Sequence, residues 1–445
     1  MNKKIILPFA SLLFCGVLFL IWPTAHTIAL RKFLLIFGML IGIVLWIRDD
    51  VRNEIIKQRW LIILTLLFIW VIFHAGFVSQ NGTEAWKEFL GQWLPAYLAL
   101  FSGIGVAVAG RTINASVYKM YLLAVLAVQP VLYLYLSIYK SIQLGHIATG
   151  FMVVNWGADL KPSLTFSSDM LAALACAKLL ESFNSGGKPD NYKYLWIILI
   201  VLAMYIAMFT STLNSMLLIG TCVIIMLVLV GYGLKSMRKR ISIAFSILIV
   251  IMAIFVTSIT IKYPSYWESK VSNTKVALSI DKYQNWTNFY KLGLPSNELG
   301  EQLPESFYLH VAYARAGLRA VLENPWGYGV TRHAFERLIQ QKYPDVRIAS
   351  THNGYLDLAC AVGIPGLLLF VLALIAIFWQ LSRSRSEFAR PAMWMIAMYA
   401  LHWMLDPLSR DHFFELYLFI IALMMTLTLN TTPQNTIPDN QGKAL

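Results

Sequence analysis

Charged side chains are scarce in this sequence, and their scarcity excludes an ordinary water-soluble protein of this length. Asp, Glu, Lys and Arg make up 13% of the 445 residues, whereas hydrophobic residues make up 58%. Apolar runs of about 20 residues recur, and each is long enough to cross the hydrocarbon core of a membrane as a helix. We therefore expect an all-α, polytopic membrane protein, because no alternating pattern typical of a membrane β-barrel occurs.

Motifs for binding metal ions and nucleotides are missing as well. No Asp-x-Asp sequence occurs, and residues 23–27, the first predicted outer loop, contain no carboxylate. Because hard divalent cations prefer carboxylate oxygens, we expect no metal site. The phosphate-binding sequence G-x-x-x-x-G-K-[ST] is also absent, so we expect no nucleotide and no other cofactor.

Cysteine is rare, and the basic residues are dispersed. The chain has 4 cysteines, Cys15, Cys176, Cys222 and Cys360, and each lies in an apolar run. This placement predicts small buried side chains and no disulfide framework. The net charge of +13 does not indicate nucleic-acid binding, because Lys and Arg are scattered among short connections.

The apolar runs predict about twelve transmembrane helices, at residues 5–22, 28–47, 60–79, 89–110, 117–139, 163–182, 193–210, 213–232, 241–261, 353–380, 390–406 and 413–430. Lys and Arg concentrate in alternate connections, which predicts that both termini are cytoplasmic. We divide the chain into helices 1–9 (residues 1–261), a loop domain on the outer side (262–351), helices 10–12 (352–430) and a polar cytoplasmic tail (431–445).

The loop domain has the periodicity of a folded, mainly helical unit. Apolar residues recur at helical spacing in its second half, namely Phe307, Val311, Ala314, Leu318, Val321 and Leu322. This helix should end near Asn324-Pro325, where Gly327 and Gly329 allow a turn. A second helix is predicted to start after Thr331 and to run to about Lys342.

A histidine and an asparagine, His352 and Asn353, lie at the mouth of the predicted tenth span. We expect Ser350 or Thr351 to cap that helix and His352 to lie in its first turn, where the helix dipole should keep the imidazole neutral. A neutral imidazole is suited to act as a general base. Asp357 is about 140° around the helix from His352, so a residue that orients His352 must come from another segment. The alternative is a polar side chain at the membrane interface without a chemical role.

Few other ionisable residues fall within the spans. Asp169 lies early in the sixth span, and His74 and His402 lie deeper in theirs. A proton-coupled transporter would be expected to carry more of them near the midplane.

Basic residues on the predicted outer side could bind an anion. Arg315 and Arg319 are one turn apart on the loop helix, where two guanidinium groups suit a diphosphate. Arg332, Lys87 and Arg31 could join them. The alternative is a solvated face in which Glu323 pairs with Arg319, or, for each single residue, an anchor at the membrane edge.

Two short motifs flank the mouth of the tenth span. One is His352-Asn353-Gly354-Tyr355-Leu356 followed by GIPGL at residues 363–367, and the other is ENPWGYG at residues 323–329. Together with the large loop before the histidine, they resemble the signature of the O-antigen ligase and O-antigen polymerase superfamily of bacterial envelope glycosyltransferases.

The resemblance implies a fold related to the GT-C membrane glycosyltransferases. Ligases of this family move a glycan from undecaprenyl diphosphate to a sugar hydroxyl of lipid A–core, on the periplasmic side of the inner membrane and without metal or nucleotide. Carried over to this chain, the family's general base is His352, and direct displacement by the acceptor hydroxyl would invert the anomeric carbon.

The sequence departs from the family pattern at the residues expected to bind phosphate. His310 stands where many relatives have an arginine, and Thr212-Leu213-Asn214-Ser215 stands where many have Ser-Arg. The proposed ligands for the donor diphosphate are therefore the basic residues chosen on physical grounds, with Asn353 and His310 as supporting residues. These residues are Arg315, Arg319, Arg332, Lys87 and Arg31.

Three other functions remain open at this stage. A polymerase would use the same donor and a second lipid-linked glycan as acceptor. A relative could instead transfer glycans to proteins. A lipid-linked glycan flippase would not need His352 and should carry charges deeper in the helix bundle.

Overall fold

The computed structural model describes residues 3–22, 27–48, 52–110, 113–148, 160–184, 192–209, 213–233, 264–344, 346–348, 350–407 and 413–429. Its α-helices are α1 (Lys3–Ile21), α2 (Ile28–Arg48), α3 (Arg52–Ile56), α4 (Arg59–Phe73), α5 (Gly82–Glu88), α6 (Leu94–Gly110), α7 (Ala115–Leu144), α8 (Leu160–Asn184), α9 (Lys193–Phe209), α10 (Leu213–Gly233), α11 (Pro264–Leu278), α12 (Phe289–Leu292), α13 (Glu305–Glu323), α14 (Ala334–Gln340), α15 (Gly354–Arg383), α16 (Ala389–His402) and α17 (Phe413–Leu427).

The expected all-α class is confirmed for the described residues. They contain no β-strand, and an isolated antiparallel bridge joins Ser296 and Gln302. Short π-helical segments at His74–Val78 and Phe89–Trp93 continue α4 and lead into α6, and a 3₁₀ turn lies at Gln284–Thr287.

Five stretches of the described chain are long and apolar enough to cross a membrane. They are Ile28–Leu45, Arg59–Val78, Gly82–Gly110, Val117–Leu144 and Gly354–Arg383, and each matches a predicted span. Shorter apolar helices lie at Phe9–Ile21, Lys193–Phe209, Asn214–Val230 and Phe413–Leu427. The predicted ninth span, residues 241–261, lies outside the described residues, so the total of about twelve stays a prediction.

The core of the bundle is α17, in which every residue from Phe413 to Leu427 is buried. A helix that is apolar all round needs neighbours on all sides, and α17 packs on α6 and α16. Close approach depends on small residues in α6. A Cβ on Gly103 would lie 2.4 Å from the carbonyl oxygen of Phe419, and one on Gly105 would lie 2.2 Å from the Cα of Gly42.

The segment between α10 and α15 contains the two helices predicted from sequence, at Glu305–Glu323 and Ala334–Gln340, and also α11 and α12. The predicted apolar face of α13 was wrong in part, because Leu318 and Leu322 are exposed. The buried face is formed by Tyr308, Leu309, Ala312, Tyr313, Ala316, Gly317, Ala320 and Val321. On this face Gly317 lies directly against Thr351 and Leu356, and a Cβ there would lie 2.5 Å from the Thr351 side chain.

The four cysteines are buried and unpaired, as predicted. The boundary at residue 262 and the tail from residue 431 lie outside the described residues.

Candidate functional site

His352 lies just before α15 rather than in its first turn, so the predicted cap was wrong. Asn353 is the N-cap: its side-chain oxygen accepts hydrogen bonds from the backbone N–H groups of Tyr355 and Leu356, at 3.1 Å each. His352 has a left-handed backbone with φ of 55°. Left-handed backbone costs energy for most residues but is visited more often by Asn, Asp and His. This conformation turns the chain sharply between Thr351 and the helix.

Asn353 also joins the start of α15 to the end of α16. Its Nδ2 donates to the carbonyl oxygen of Met404 at 3.1 Å, and the N–H of Gly354 donates to that of Trp403 at 2.7 Å. Carbonyl groups at a helix C-terminus lack partners within the helix. The asparagine therefore caps one helix and satisfies the end of another, which fixes residues 403–406 beside His352.

Asp357 holds the loop from the other side. One carboxylate oxygen accepts hydrogen bonds from the N–H and the hydroxyl of Thr351, both at 2.8 Å. Helix geometry predicted that Asp357 does not face His352, and the contacts of Asp357 with Thr351 agree with that prediction. Its effect on His352 is indirect, through the position of the loop.

Two aromatic rings of α13 pack against the ring of His352. The ring centroids of His310 and His352 are 4.3 Å apart with 19° between the planes, and the Tyr313 ring is nearly parallel to His352 at 5.9 Å. These three rings are called the histidine stack. Two imidazolium ions at this distance would repel each other, which disfavours a doubly protonated pair.

Burial shapes the chemistry of the stack. It lowers the pKa of His310, and the Asp406 carboxylate opposes this by raising it. Burial raises the pKa of Tyr313 to about 12. The phenol therefore stays protonated near neutral pH and cannot serve as a general base, which leaves the two imidazoles for that role.

A buried group of polar side chains lies next to the stack, and the sequence analysis did not assemble it. His402 Nδ1 is 2.9 Å from Asp169 Oδ2, and its Nε2 is 3.1 Å from Asp406 Oδ2. The Ser215 hydroxyl donates to the other oxygen of Asp169. Asp169, Ser215, His402 and Asp406 are called the charge cluster, and they come from α8, α10, α16 and the turn after α16. A carboxylate faces each ring nitrogen, which suits an imidazolium with two N–H donors.

Residues 212–215 are the stretch in which the sequence departs from the family pattern, and the last two of them lie beside this cluster. Asn214 Nδ2 donates to the carbonyl oxygen of Leu405 at 3.3 Å, and Ser215 contacts Asp169. The ionisable residues within predicted spans, Asp169 and His402, were the signal that could have found the cluster. The sequence did not indicate that the two are in contact.

The second sequence motif packs against a break in α15. At Gly363 the helix has a non-helical backbone with φ of 74°, followed by Pro365. The N–H groups of Tyr328 and Gly329 donate to the carbonyls of Cys360 and Ala361, at 2.8 and 3.1 Å, and the N–H of Ile364 donates to Pro325 at 2.8 Å. Residues 323–329 and 360–366 together are called the junction.

Side chains of α4 and its π-helical continuation complete the junction. Trp70 Nε1 donates to the carbonyl of Val362 at 2.8 Å, and His74 Nε2 lies 2.7 Å from the carbonyl of Trp326. Unpaired backbone groups at membrane depth cost several kcal/mol each, on the order of the full desolvation penalty. The ENPWGYG motif therefore has a structural role: it satisfies the helix where Gly363 and Pro365 interrupt it.

The predicted phosphate ligands do not form one group. Arg319 is paired with Asp281, at 2.7 and 2.8 Å, and with Glu323 at 2.9 Å. Arg315 lies in the same shallow cleft, which Leu278, Asp281, Lys282 and Leu322 also line. Lys87 is exposed on α5.

Arg332 lies across from α5, with its Nε 3.8 Å from Glu88. Arg31 is 1% exposed, and its Nε is 3.2 Å from Glu415, to which Trp22 also donates. The structure thus brings His310, His352 and Asn353 together, and it places the five cations in three separate locations.

Helices of membrane length, together with a pair of histidines at the mouth of one of them, define an integral membrane protein with a candidate catalytic site at a helix entrance. The sequence model of the family described as O-antigen ligase matches residues 198–371. This match to part of the chain supports the O-antigen ligase/polymerase superfamily, which the motifs predicted. The match includes the histidine stack and the junction. No curated protein matches the chain.

The family match also supports a general activity. Together with the membrane-length helices, it supports a bacterial membrane protein with ligase- or polymerase-type activity in O-antigen processing. Enzymes of this family are glycosyltransferase-like and use lipid-linked glycans and lipid A–core in general.

Proposed function

We propose that this protein is an inverting, metal-independent glycosyltransferase that moves O-antigen glycan from undecaprenyl diphosphate to a sugar hydroxyl of lipid A–core. The observation that carries the proposal is the histidine stack at the mouth of α15. It offers an imidazole that is half-exposed, ordered by neighbouring rings and located where two amphiphilic substrates can both reach it. We further propose a GT-C-like arrangement with about twelve spans, both termini in the cytoplasm and the loop domain in the periplasm of the inner membrane.

In the proposed reaction, His352 is the general base. Its imidazole takes the proton of the acceptor hydroxyl while the hydroxyl oxygen forms a bond to the anomeric carbon. The bond from that carbon to the diphosphate oxygen breaks, and its electron pair leaves with the diphosphate. Attack opposite the leaving group inverts the anomeric configuration. Asn353 fixes the loop that carries His352, and His310 supports its ring.

The leaving group needs positive charge but no proton donor, because a diphosphate is already a stable anion. Lys87 and Arg332 are our first candidates, since Lys87 is exposed and the side chain of Arg332 is 60% exposed, with its Nε 3.8 Å from the carboxylate of Glu88. Arg315 and Arg319 are the second pair, because Arg319 would have to release Asp281 and Glu323. Arg31 comes last, because its ion pair with Glu415 is buried.

Metal independence rests on the sequence and on how its carboxylates are used. No Asp-x-Asp occurs in the chain. Among the described carboxylates near the stack, Asp357 bonds Thr351 and Asp406 bonds His402. Hard cations need several oxygen ligands, so we propose that guanidinium and ammonium groups stabilise the departing diphosphate.

The ligase is favoured over three other functions. A polymerase would extend a second lipid-linked glycan, and a protein O-oligosaccharyltransferase would modify a protein hydroxyl, with the same donor and base. The large segment directly before His352 favours the ligase by analogy with the family. A flippase would need no general base, so an ordered histidine stack argues against it.

The test is transfer by purified protein with undecaprenyl diphosphate–glycan and lipid A–core, in excess EDTA and without nucleotide. We expect glycosylated lipid A–core with inverted linkage from the wild type and none from His352→Gln. Longer lipid-linked chains without lipid A–core would identify a polymerase, and glycosylated protein a protein transferase. Donor movement across vesicles without a covalent product would identify a flippase. Activity that requires Mg²⁺ would contradict metal independence.

A further inference from the structure

The charge cluster is connected to the histidine stack through the turn that follows α16. The turn at residues 403–406 contacts the His352 loop through Asn353 and Gly354, and its Asp406 carboxylate acts on His310. Asp406 is 27% exposed, whereas His402 and Asp169 are 8% and 2% exposed. The cluster therefore reaches from the buried bundle to the edge of the site.

His402 occupies the centre of this arrangement. Asp169 receives a hydrogen bond from Ser215, so its position is fixed from α10 as well as from α8. Asp169 in turn faces one nitrogen of His402, and Asp406 faces the other. A buried group with a partner on each side has little freedom to rotate, and removing one partner leaves a buried charge unpaired.

We propose that His402 is a positioning residue of the transfer reaction: held between Asp169 and Asp406, it fixes the turn at residues 403–406, to which Asn353 and Gly354 bond, and thereby orders the loop that carries His352. This inference rests on the proposed function only for its kinetic effect. The geometry of Asp406 is a property of the folded protein with or without substrate.

The kinetic test compares His402→Gln with a matched control at the other end of α16. Glu387→Gln breaks an ion pair with Lys119, at 2.6 Å, that is remote from the stack. For His402→Gln we expect kcat to fall about 10- to 100-fold, with KM for donor and acceptor within about threefold, because small displacements of catalytic groups cost rate more than binding. Glu387→Gln should retain the wild-type kcat.

A double variant separates positioning from general damage. His402→Gln and Asp406→Asn break the same contact, so the combined variant should be no slower than the slower single variant. Losses that multiply, or a His402→Gln kcat equal to that of Glu387→Gln, would overturn the proposal.

The second readout does not depend on turnover. His310, which His352, Tyr313 and Asp406 face, can be titrated by NMR in histidine-labelled protein. Asp406→Asn should lower the pKa of His310, because a neighbouring negative charge is lost. If His402 holds Asp406 in place, His402→Gln should lower it too. If Asp406 stays without His402, loss of the imidazolium would leave the His310 pKa unchanged or raise it, which would overturn the proposal.

These outcomes distinguish the two proposals. Folded wild-type protein that transfers no glycan would contradict the proposed function, while the titration would still decide the role of His402. If His402→Gln does not yield folded protein, Asp169→Asn releases the same histidine from the other side. It should lower kcat about tenfold and lower the pKa of His310, and wild-type values for both would overturn the proposal.

Discussion

The junction and the histidine stack both belong to α15, yet they differ in how completely their polar groups are used. At the junction, the N–H or carbonyl groups of Cys360, Ala361, Val362 and Ile364 each bond a partner from another segment. At the stack, two imidazole rings are only half-buried, and the residue before the N-cap has a left-handed backbone. The junction is therefore hydrogen-bonded at each of these residues, whereas the imidazole rings of the stack stay partly accessible.

This difference distinguishes the motif residues that stabilise the fold from those that could take part in the reaction. Satisfied backbone groups stabilise the break in α15 and leave nothing to react. Strained backbone and partly exposed ionisable rings collect at functional sites. The ENPWGYG and GIPG sequences therefore position the first part of α15, and His352 uses that position. Each region can be altered separately, and the expected effects differ in kind and in size.

The largest effect is expected from Gly363→Ala. At φ of 74° a Cβ on this residue would lie 2.6 Å from the backbone of Trp326, so the two halves of the junction could not meet. Left-handed strain and backbone overlap together place the change among the rare substitutions that cost more than about 4 kcal/mol. We expect little monodisperse protein on size-exclusion chromatography in detergent.

Gly220→Ala is the control for this experiment. Gly220 lies within α10, and apart from its chain neighbours and the backbone of its own helix no atom lies within 4 Å of the position of an added Cβ. Alanine favours helix over glycine, so the yield should equal or exceed that of the wild type. A normal yield of Gly363→Ala would mean that the junction tolerates separation.

The next effect concerns the histidine stack. We expect His352→Asn to lower transfer by about 10²- to 10⁴-fold, because an amide cannot accept the proton, while asparagine tolerates the left-handed backbone. The melting temperature should stay close to that of the wild type. His146→Asn, in an exposed turn, is the control for histidine loss. Normal transfer by His352→Asn, measured with purified substrates, would remove His352 from the role of base.

Regions formed by residues close together in the chain could be predicted from the sequence, whereas regions formed by residues far apart could not. The stretch 323–329 and the break at 363–365 are rich in Gly, Pro and aromatic residues that are recognisable locally, so the end of α13 and the position of the histidine loop were predictable. Asp169, Ser215 and His402 are separated by many residues and brought together only by helix packing. Asp169 and His402 stand out in the sequence as ionisable residues within spans, but nothing in the sequence indicates that they are in contact, so the charge cluster could not be predicted. The cap was misassigned because Ser, Thr and Asn are all good N-caps.

A smaller effect is expected from Trp70→Phe, which tests one hydrogen bond of the junction. The phenylalanine ring keeps most of the packing but removes the N–H that donates to Val362. A buried carbonyl left without a donor costs about 1–3 kcal/mol. The melting temperature should fall by a few degrees, and the folded fraction should keep its activity. Trp379→Phe, at a tryptophan that is 55% exposed, is the control. Equal melting temperatures for the two variants would show that the hydrogen bond contributes nothing.

The smallest effect is expected from the cations. Here too, groups that already have partners differ from groups that are exposed. Arg319 already contacts two carboxylates, whereas Lys87 is exposed and Arg332 has one distant carboxylate. We therefore expect Lys87→Ala combined with Arg332→Ala to raise the KM for the lipid diphosphate donor roughly fivefold, the size expected for exposed charges. The increase should shrink at high ionic strength, because salt screens exposed cations. Arg315→Ala combined with Arg319→Ala should leave the donor KM near the wild-type value. The opposite ranking in the same transfer assay would assign the diphosphate to the cleft beside α13, and would mean that Arg319 exchanges Asp281 and Glu323 for the substrate.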